Sequence, residues 1–201
     1  MTDDLPTPGP VRPSMEFVSF LTALNGVDPG APTWCPGWTA HDLLAHLVAG
    51  AQEITRLVDA SLAGLPVPPT RGFEEREAPL REAADADVRA MLLTEGARLG
   101  ASLGRLHLQD PGRTVPFTGW GMTARQLQTH VRSELAVHRW DLVGDDEVSG
   151  SLLGQPDLLD HAWEVRRGMT GLAEAGRPLP GDLDDLPAAR RLLAIWGRVR
   201  H

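Results

Sequence analysis

The sequence contains a single cysteine and neither lysine nor tyrosine. One cysteine, Cys35, excludes an intrachain disulfide, so we expect a protein of a reducing compartment, the cytoplasm. All 19 lysine-plus-arginine positions are arginines, and 27 acidic residues outnumber them, which gives a formal net charge of -8. A chain without a basic excess offers no general electrostatic attraction to nucleic acid or to an anionic membrane surface.

Long apolar segments are also missing. No stretch approaches the roughly 20 apolar residues that a membrane-spanning helix needs. Met1-Thr2-Asp3-Asp4, followed by prolines, has neither the positive region nor the apolar run of a signal peptide. We therefore expect a soluble intracellular protein, a monomer or homodimer, with no nucleic-acid or membrane partner.

The chain is long enough for one domain with a substantial core, since 42% of its 201 residues are apolar. Residues 1–13 contain four prolines and little to bury, which predicts a flexible lead-in. We expect residues 14–201 to form a single helical domain.

Helical periodicity dominates the rest of the sequence. Capping signals start three helices: Ser14 starts the first, Thr39 with Asp42 the second, and Thr123 with Gln126 the fourth, which should run to about Val143. A third helix is predicted from about Leu80 to His107, a fifth over 156–172 and a sixth over 187–197. Residues 64–79 look like a Pro-rich connection, and no strand pattern is convincing. The fold class predicted is all-α, a bundle of four helices with one or two short C-terminal helices.

The fourth helix carries charge where apolar residues are expected. Its apolar stripe contains Leu127, Val131 and Leu135, and on a helical wheel Glu134 and His138 fall within that stripe. Removing a lone carboxylate from water costs roughly several kcal/mol, so Glu134 needs a partner. A glutamate and a histidine four residues apart rise from one face and can converge on a zinc-type divalent ion.

A third ligand must come from another helix. His46 lies at the edge of the apolar stripe of the second helix, and Gly50 leaves open space beside it. Two histidines and one glutamate leave coordination positions free for water or substrate, as catalytic zinc sites do. Two other interpretations remain open: Glu134 and His138 hydrogen-bond each other, or Glu134 pairs with a buried arginine.

Other polar residues near these three have more than one interpretation. His130 is either a fourth ligand or a group behind the ligands, and His46 taken alone also fits an ordinary helix histidine. Asp141 either accepts the second N–H of His138 or is a helix-end carboxylate. Cys35 is either a buried thiol or one whose pKa a nearby helix start lowers.

Two segments resemble a known family. Cys35–Leu47, which reads CPGWTAHDLLAHL, and Glu134–Leu142, which reads ELAVHRWDL, are similar to the motifs of the mycothiol-dependent maleylpyruvate isomerase family, part of the DinB-like superfamily. Leu192–Arg198 resembles, more weakly, the ending common in that family. The resemblance covers most of the chain from about residue 15.

The resemblance implies a DinB-like four-helix bundle holding a divalent metal, usually zinc, on His46, Glu134 and His138. It also implies a low-molecular-weight thiol cofactor such as mycothiol, whose metal-activated sulfur adds to a small electrophile for isomerisation or S-transfer. A coordinated thiol loses its proton, and the thiolate is the nucleophile.

Some family members carry a further C-terminal domain, whereas this chain ends soon after Arg198. That difference motivates an alternative function, a non-catalytic metal- or ligand-binding module whose site His130 or Cys35 closes. A plain helical scaffold without metal is a third hypothesis. Arg198 itself either meets an anionic substrate or forms a surface ion pair.

Overall fold

The computed structural model describes residues 13–168 and 183–198, and in these ranges the chain is mostly helical. The helices are α1 (Met15–Asn25), α2 (Ala40–Leu62), α3 (Phe73–Arg81), α4 (Asp85–Gln109), α5 (Ala124–Val143), α6 (Glu147–Leu153), α7 (Pro156–Gly168) and α8 (Ala188–Ile195). Strands β1 (Thr114–Phe117) and β2 (Trp120–Thr123) form an antiparallel hairpin between α4 and α5. The prediction of an all-α fold is confirmed, with this small hairpin as an addition.

Helices α1, α2, α4 and α5 form the four-helix bundle, with α2 packed along α4 and α1 along α5. One apolar cluster joins all four helices and includes Phe20, Leu44, Leu92 and Leu135. A second cluster fills the end of the bundle next to the hairpin, and a third packs α6, α7 and α8 against α5. The residues predicted to bind a metal therefore lie on helices that this packed core holds in place.

The predicted helix starts agree with the hydrogen bonds observed. The Phe17 N–H donates to Ser14 Oγ at 3.2 Å, which caps α1. Reciprocal capping boxes start α2, between Thr39 and Asp42, and α5, between Thr123 and Gln126. These caps satisfy N–H groups that have no partner within the helix, so they determine where each helix begins.

The predicted third helix is wrong at its start. The segment from Leu80 belongs to the end of α3, the chain turns at residues 82–84, and α4 begins only at Asp85. Asp85 stabilises that start because acidic residues are favoured in a helix's first turn, and its Oδ1 lies 3.1 Å from Nδ1 of His41. The residues 64–79 predicted as a connection include most of α3.

Two further elements were not predicted. The hairpin strands have four residues each, too short for a clear alternating pattern, and their two-residue turn is Thr118-Gly119. Both turn residues have positive φ angles, 48° and 86°, as a type I′ hairpin turn requires. Helix α6 has seven residues and starts where the Ser149 N–H donates to the side chain of Asp146 at 2.6 Å.

Some predictions fall on residues that the structure does not describe. The lead-in over residues 1–13 lies outside the described ranges except for Pro13, and so do residues 169–172 of the predicted fifth helix. Its remaining part corresponds to α7, and the predicted sixth helix corresponds to α8. In the described parts of the chain, every helix is too short or too polar to cross a bilayer.

Candidate metal centre

The three residues predicted to bind a metal lie together between α2 and α5. His46 Nε2 is 3.4 Å from Glu134 Oε2, and His138 Nε2 is 3.3 Å from the same oxygen. One donor atom from each of the three residues lies within 4.8 Å of the other two. The histidine side chains are 15% and 4% exposed and Glu134 is 23% exposed, so the cluster is sheltered but reachable.

These distances suit a tetrahedral divalent ion. Zinc–nitrogen and zinc–oxygen bonds of about 2.0–2.1 Å place two ligand atoms of a tetrahedron roughly 3.3 Å apart. Both histidine-to-glutamate distances match that edge length. Three protein ligands of this chemistry leave a fourth position open, as in catalytic zinc sites.

The other ring nitrogen of each histidine faces a second carboxylate. His138 Nδ1 lies 2.9 Å from Asp141 Oδ2, and His46 Nδ1 lies 2.7 Å from Glu77 Oε1. A carboxylate can only accept, so each Nδ1 carries a proton that it donates, and in a neutral ring Nε2 then holds a lone pair. Two lone pairs pointing at the Glu134 carboxylate repel it unless a cation lies between them or both rings are charged. The donor set therefore fits a metal.

Arginines in turn hold the two supporting carboxylates. Arg198 Nε donates to Asp141 at 3.0 Å, and Arg81 Nη2 donates to Glu77 Oε2 at 2.7 Å. Asp141 and Glu77 are almost fully buried, at 0% and 1% side-chain exposure. Carboxylates that orient metal-binding histidines are a recurring feature of zinc sites, because they fix the tautomer and raise the basicity of the ligand.

The connection before α3 is tied to α2, and this positions Glu77. The buried carboxylate of Glu53 on α2 accepts from the backbone N–H of Arg71 at 2.8 Å and from the Arg71 Nε at 2.7 Å. Arg56 donates to the same carboxylate and to the Pro69 carbonyl. The chain leading into α3 is thus anchored on the helix that carries His46.

The electrostatics of the cluster follow from these contacts. Burial alone would raise the pKa of Glu134, but the Nε2–H donors and the positive charge of His138 and His46, when both rings are protonated, hold it well below its usual range. A divalent ion between the same atoms would supply that positive charge in place of the two Nε2 protons. Burial alone would lower the pKa of His46, yet Glu134 and Glu77 raise it to about 9. Glu134 is therefore an anion at neutral pH, as a metal-binding carboxylate must be.

His130 occupies a position behind the cluster. Its Nε2 is 3.9 Å from Glu134 Oε1, and its Nδ1 lies 3.2 Å from Nε2 of His161. Burial lowers the pKa of both rings, to about 3 for His161, so the pair is neutral at physiological pH. Among the described residues, the group of converging donors contains His46, Glu134 and His138 but not His130.

The remaining predicted residues have clear positions. Asp141 contacts His138, as one of its two interpretations required. Arg198 pairs with Asp141 and not with a surface acid, so it supports the site indirectly. Cys35 is half-buried and is not part of the converging donor group found in the described ranges.

Sequence reasoning missed two groups beside the cluster. Glu77 lies on α3, within a segment predicted as a loop, and so carried no periodic signal. Trp38 packs its ring 5.2 Å from that of His46 and 6.3 Å from that of His138, between centroids. Trp38 lies within the Cys35–Leu47 motif, but the sequence favoured ordinary packing for this ring and did not indicate contact with the two histidines.

A cavity of about 1000 Å³ opens beside the cluster, between α2, α4 and α5. His46, Glu134 and His130 are among the lining residues, and apolar side chains and glycines make up most of the others. A ligand larger than water therefore has room next to His46 and Glu134.

Comparisons with known proteins identify the family and the fold. The sequence family described as the mycothiol maleylpyruvate isomerase N-terminal domain matches residues 14–143. The fold is similar to a crystal structure of the mycothiol-dependent maleylpyruvate isomerase, with a TM-score of 0.59, 21% identity, and coverage of 70% of this chain and 64% of that chain. A histidine-to-alanine mutant of that enzyme matches with a TM-score of 0.58 and 20% identity over the same shares. No curated protein sequence matches the chain.

The solved structures establish the fold only, because their identity to this chain is low. The matched segment covers less than two thirds of their length. The family match is stronger evidence than the solved structures, because it spans well over half of the chain and includes His46, Glu134 and His138. This protein therefore belongs to the family defined by the mycothiol maleylpyruvate isomerase N-terminal domain.

Proposed function

We propose that the protein is a metal-dependent enzyme that uses a low-molecular-weight thiol of the mycothiol type to act on a small electrophile. The observation that carries the proposal is the convergence of two histidine Nε2 atoms on one oxygen of Glu134, at the spacing of a tetrahedral ion. The membership of a mycothiol-related enzyme family supports the choice of thiol. Zinc is the metal that this donor set favours.

A divalent ion on His46, Glu134 and His138 would supply the positive charge that converts a bound thiol into a thiolate at neutral pH. The protein's own residues prepare for this. Asp141 and Glu77 accept the Nδ1 protons of the two histidines, which leaves both Nε2 lone pairs directed at the ion site. Glu134 compensates one positive charge and stays ionised.

The reaction needs one bond to form at the electrophile. A bound thiolate would form a carbon–sulfur bond with the electrophilic carbon, and the electron pair displaced from the carbon's double bond would take up a proton from solvent. Rotation about the new single bond, followed by loss of that proton and of the thiolate, would give isomerisation with no net oxidation. Retention of the carbon–sulfur bond gives S-transfer. The cavity beside the cluster shelters the adduct from bulk water.

An open site favours catalysis over simple binding. The non-catalytic alternative required a fourth protein ligand, His130 or Cys35. Among the residues described, neither joins the converging donors, and His130 Nδ1 is directed at His161 instead. A closed structural site would use four protein ligands.

The test is a reconstitution assay. The purified protein is stripped with a chelator, reloaded with zinc and mixed with mycothiol and a panel of electrophiles that includes maleylpyruvate. We expect turnover that requires both metal and thiol and that Glu134→Gln abolishes. Glu147→Gln, on the exposed start of α6, is the matched control and should keep full activity. No turnover by the zinc-loaded protein with any cellular thiol would refute the proposal.

A further inference from the structure

Arg76 on α3 is buried, with a relative exposure of 7%. Its Nε and Nη1 atoms are covered by protein and have no hydrogen bond within the described part of the chain. Arg139, equally buried at 7%, shows the usual solution, because Asp146 accepts from it at 2.7 and 2.8 Å. A buried cationic donor without an acceptor costs free energy, so Arg76 requires an explanation of its own.

The position of Arg76 links it to the metal centre. Its guanidinium lies over the ring of Phe73, 4.5 Å from the centroid, and the same ring is 5.8 Å from the His46 ring. Both Arg76 and His46 line the large cavity. The unpaired cation therefore faces the space that a substrate would occupy beside the candidate ion.

The cavity continues away from the cluster as an apolar trough. Small and aliphatic residues of α2 and α4 line it, among them Leu47, Gly50, Ile54, Gly96, Leu99 and Gly104. Gly96 and Gly104 are eight residues apart, so the trough extends roughly 12 Å along α4 at a rise of 1.5 Å per residue. A Cβ atom added at Gly50 or Gly104 would meet nothing within 4 Å, whereas one added at Gly96 would lie 3.3 Å from the ring of Phe17. Gly50 and Gly104 therefore border open space.

We propose that Arg76 binds the carboxylate of the substrate and that the trough holds an apolar body attached to it. This inference rests on the proposed function and names its substrate class, an electrophilic carboxylic acid with an extended apolar chain. A guanidinium binds a carboxylate through two N–H donors, and a substrate carboxylate would give Arg76 the acceptor that it lacks among the described residues. The apolar chain gains free energy by leaving water for the trough.

The test measures binding of unreactive probes, so it does not depend on turnover. Isothermal titration of the full chain, both zinc-loaded and chelated, uses octanoate, octanol and propionate. The chelated sample separates binding at Arg76 from direct coordination of the carboxylate to zinc. We expect octanoate to bind to both samples and at least tenfold more tightly than octanol or propionate.

Variants test the contribution of Arg76 and of the trough separately. Arg76→Gln should weaken octanoate binding about tenfold or more and leave octanol binding unchanged, while Arg76→Lys should restore part of it. Gly104→Leu should fill the trough and weaken octanoate but not propionate. Arg98→Gln, an arginine of α4 that is 63% exposed, is the control and should bind octanoate like the parent protein. Circular dichroism verifies that each variant is folded.

Two results would overturn the inference: octanoate affinity that is the same in folded Arg76→Gln, or octanoate and propionate that bind equally well. These failures differ from failure of the proposed function. Arg76-dependent octanoate binding in a protein without thiol-dependent turnover would keep the anion site and remove the enzyme assignment. In the converse result, Arg76→Gln turns over uncharged electrophiles at the parent rate and loses no octanoate affinity. That result would keep the enzyme assignment and remove the anion site.

Discussion

Glu77 provides the sharpest test of the metal centre, because its buried carboxylate contacts Nδ1 of His46 while Nε2 of the same ring faces Glu134. Its side chain is 1% exposed, and its two oxygens contact His46 Nδ1 and Arg81 Nη2, both at 2.7 Å. Glu77→Gln keeps the shape but removes the charge that makes His46 a better ligand. Loss of such a supporting carboxylate typically weakens metal binding by about 10–100-fold. That range corresponds to about 1.4–2.8 kcal/mol of binding free energy.

The assay is competition for zinc against a chromophoric chelator at fixed pH, with the zinc dissociation constant as the readout. Glu75→Gln is the matched control, since this glutamate lies on the same helix but faces solvent. We expect the control to bind zinc like the parent protein. An unchanged dissociation constant in folded Glu77→Gln would show that the His46–Glu77 contact does not strengthen zinc binding. The supporting role assigned to Glu77 would then be wrong.

Three further predictions concern the same framework. Asp141→Asn should weaken zinc binding about 10–100-fold in the same competition assay, whereas His107→Ala, an exposed histidine of α4, should not. Saturation with zinc at about 100 times its dissociation constant should stabilise the fold by about 2.7 kcal/mol, seen as a melting temperature that falls on chelation, and an unchanged melting temperature would favour a metal-free scaffold. Burial raises the pKa of Glu53, but Arg56 and Arg71 outweigh this and lower it from 4.5 to about 2. Its stabilisation, about 3 kcal/mol at most, should therefore be complete above pH 4.5 and disappear as the pH falls towards 2, and Glu53→Gln should flatten that part of the stability profile.

The bundle helices were predictable because each combines apolar periodicity with a local capping signal. The capping boxes at Thr39 and Thr123 involve residues three positions apart, so they are visible in the sequence. Helix α3 has no such signal: Gly72 precedes it without a side-chain cap, and Pro79 lies within it. It is stable because it packs on α2 and because Glu53 anchors the chain before it, and these contacts join residues distant in sequence.

The same distinction separates the predictable and unpredictable parts of the site. Glu134 and His138 were identifiable since a charge inside an apolar stripe is a local anomaly, and Asp141 was a candidate since it follows His138 by one helical turn. Glu77 reaches His46 across 31 positions, and only tertiary packing of α3 brings them together. Arg76 is one residue earlier on the same helix. The element that sequence patterns described least therefore carries both the support for one candidate ligand and the unpaired cation that faces the cavity. We therefore expect the residues that determine substrate choice in this fold to lie on α3 more than on α2 and α5, the helices that carry the candidate ligands.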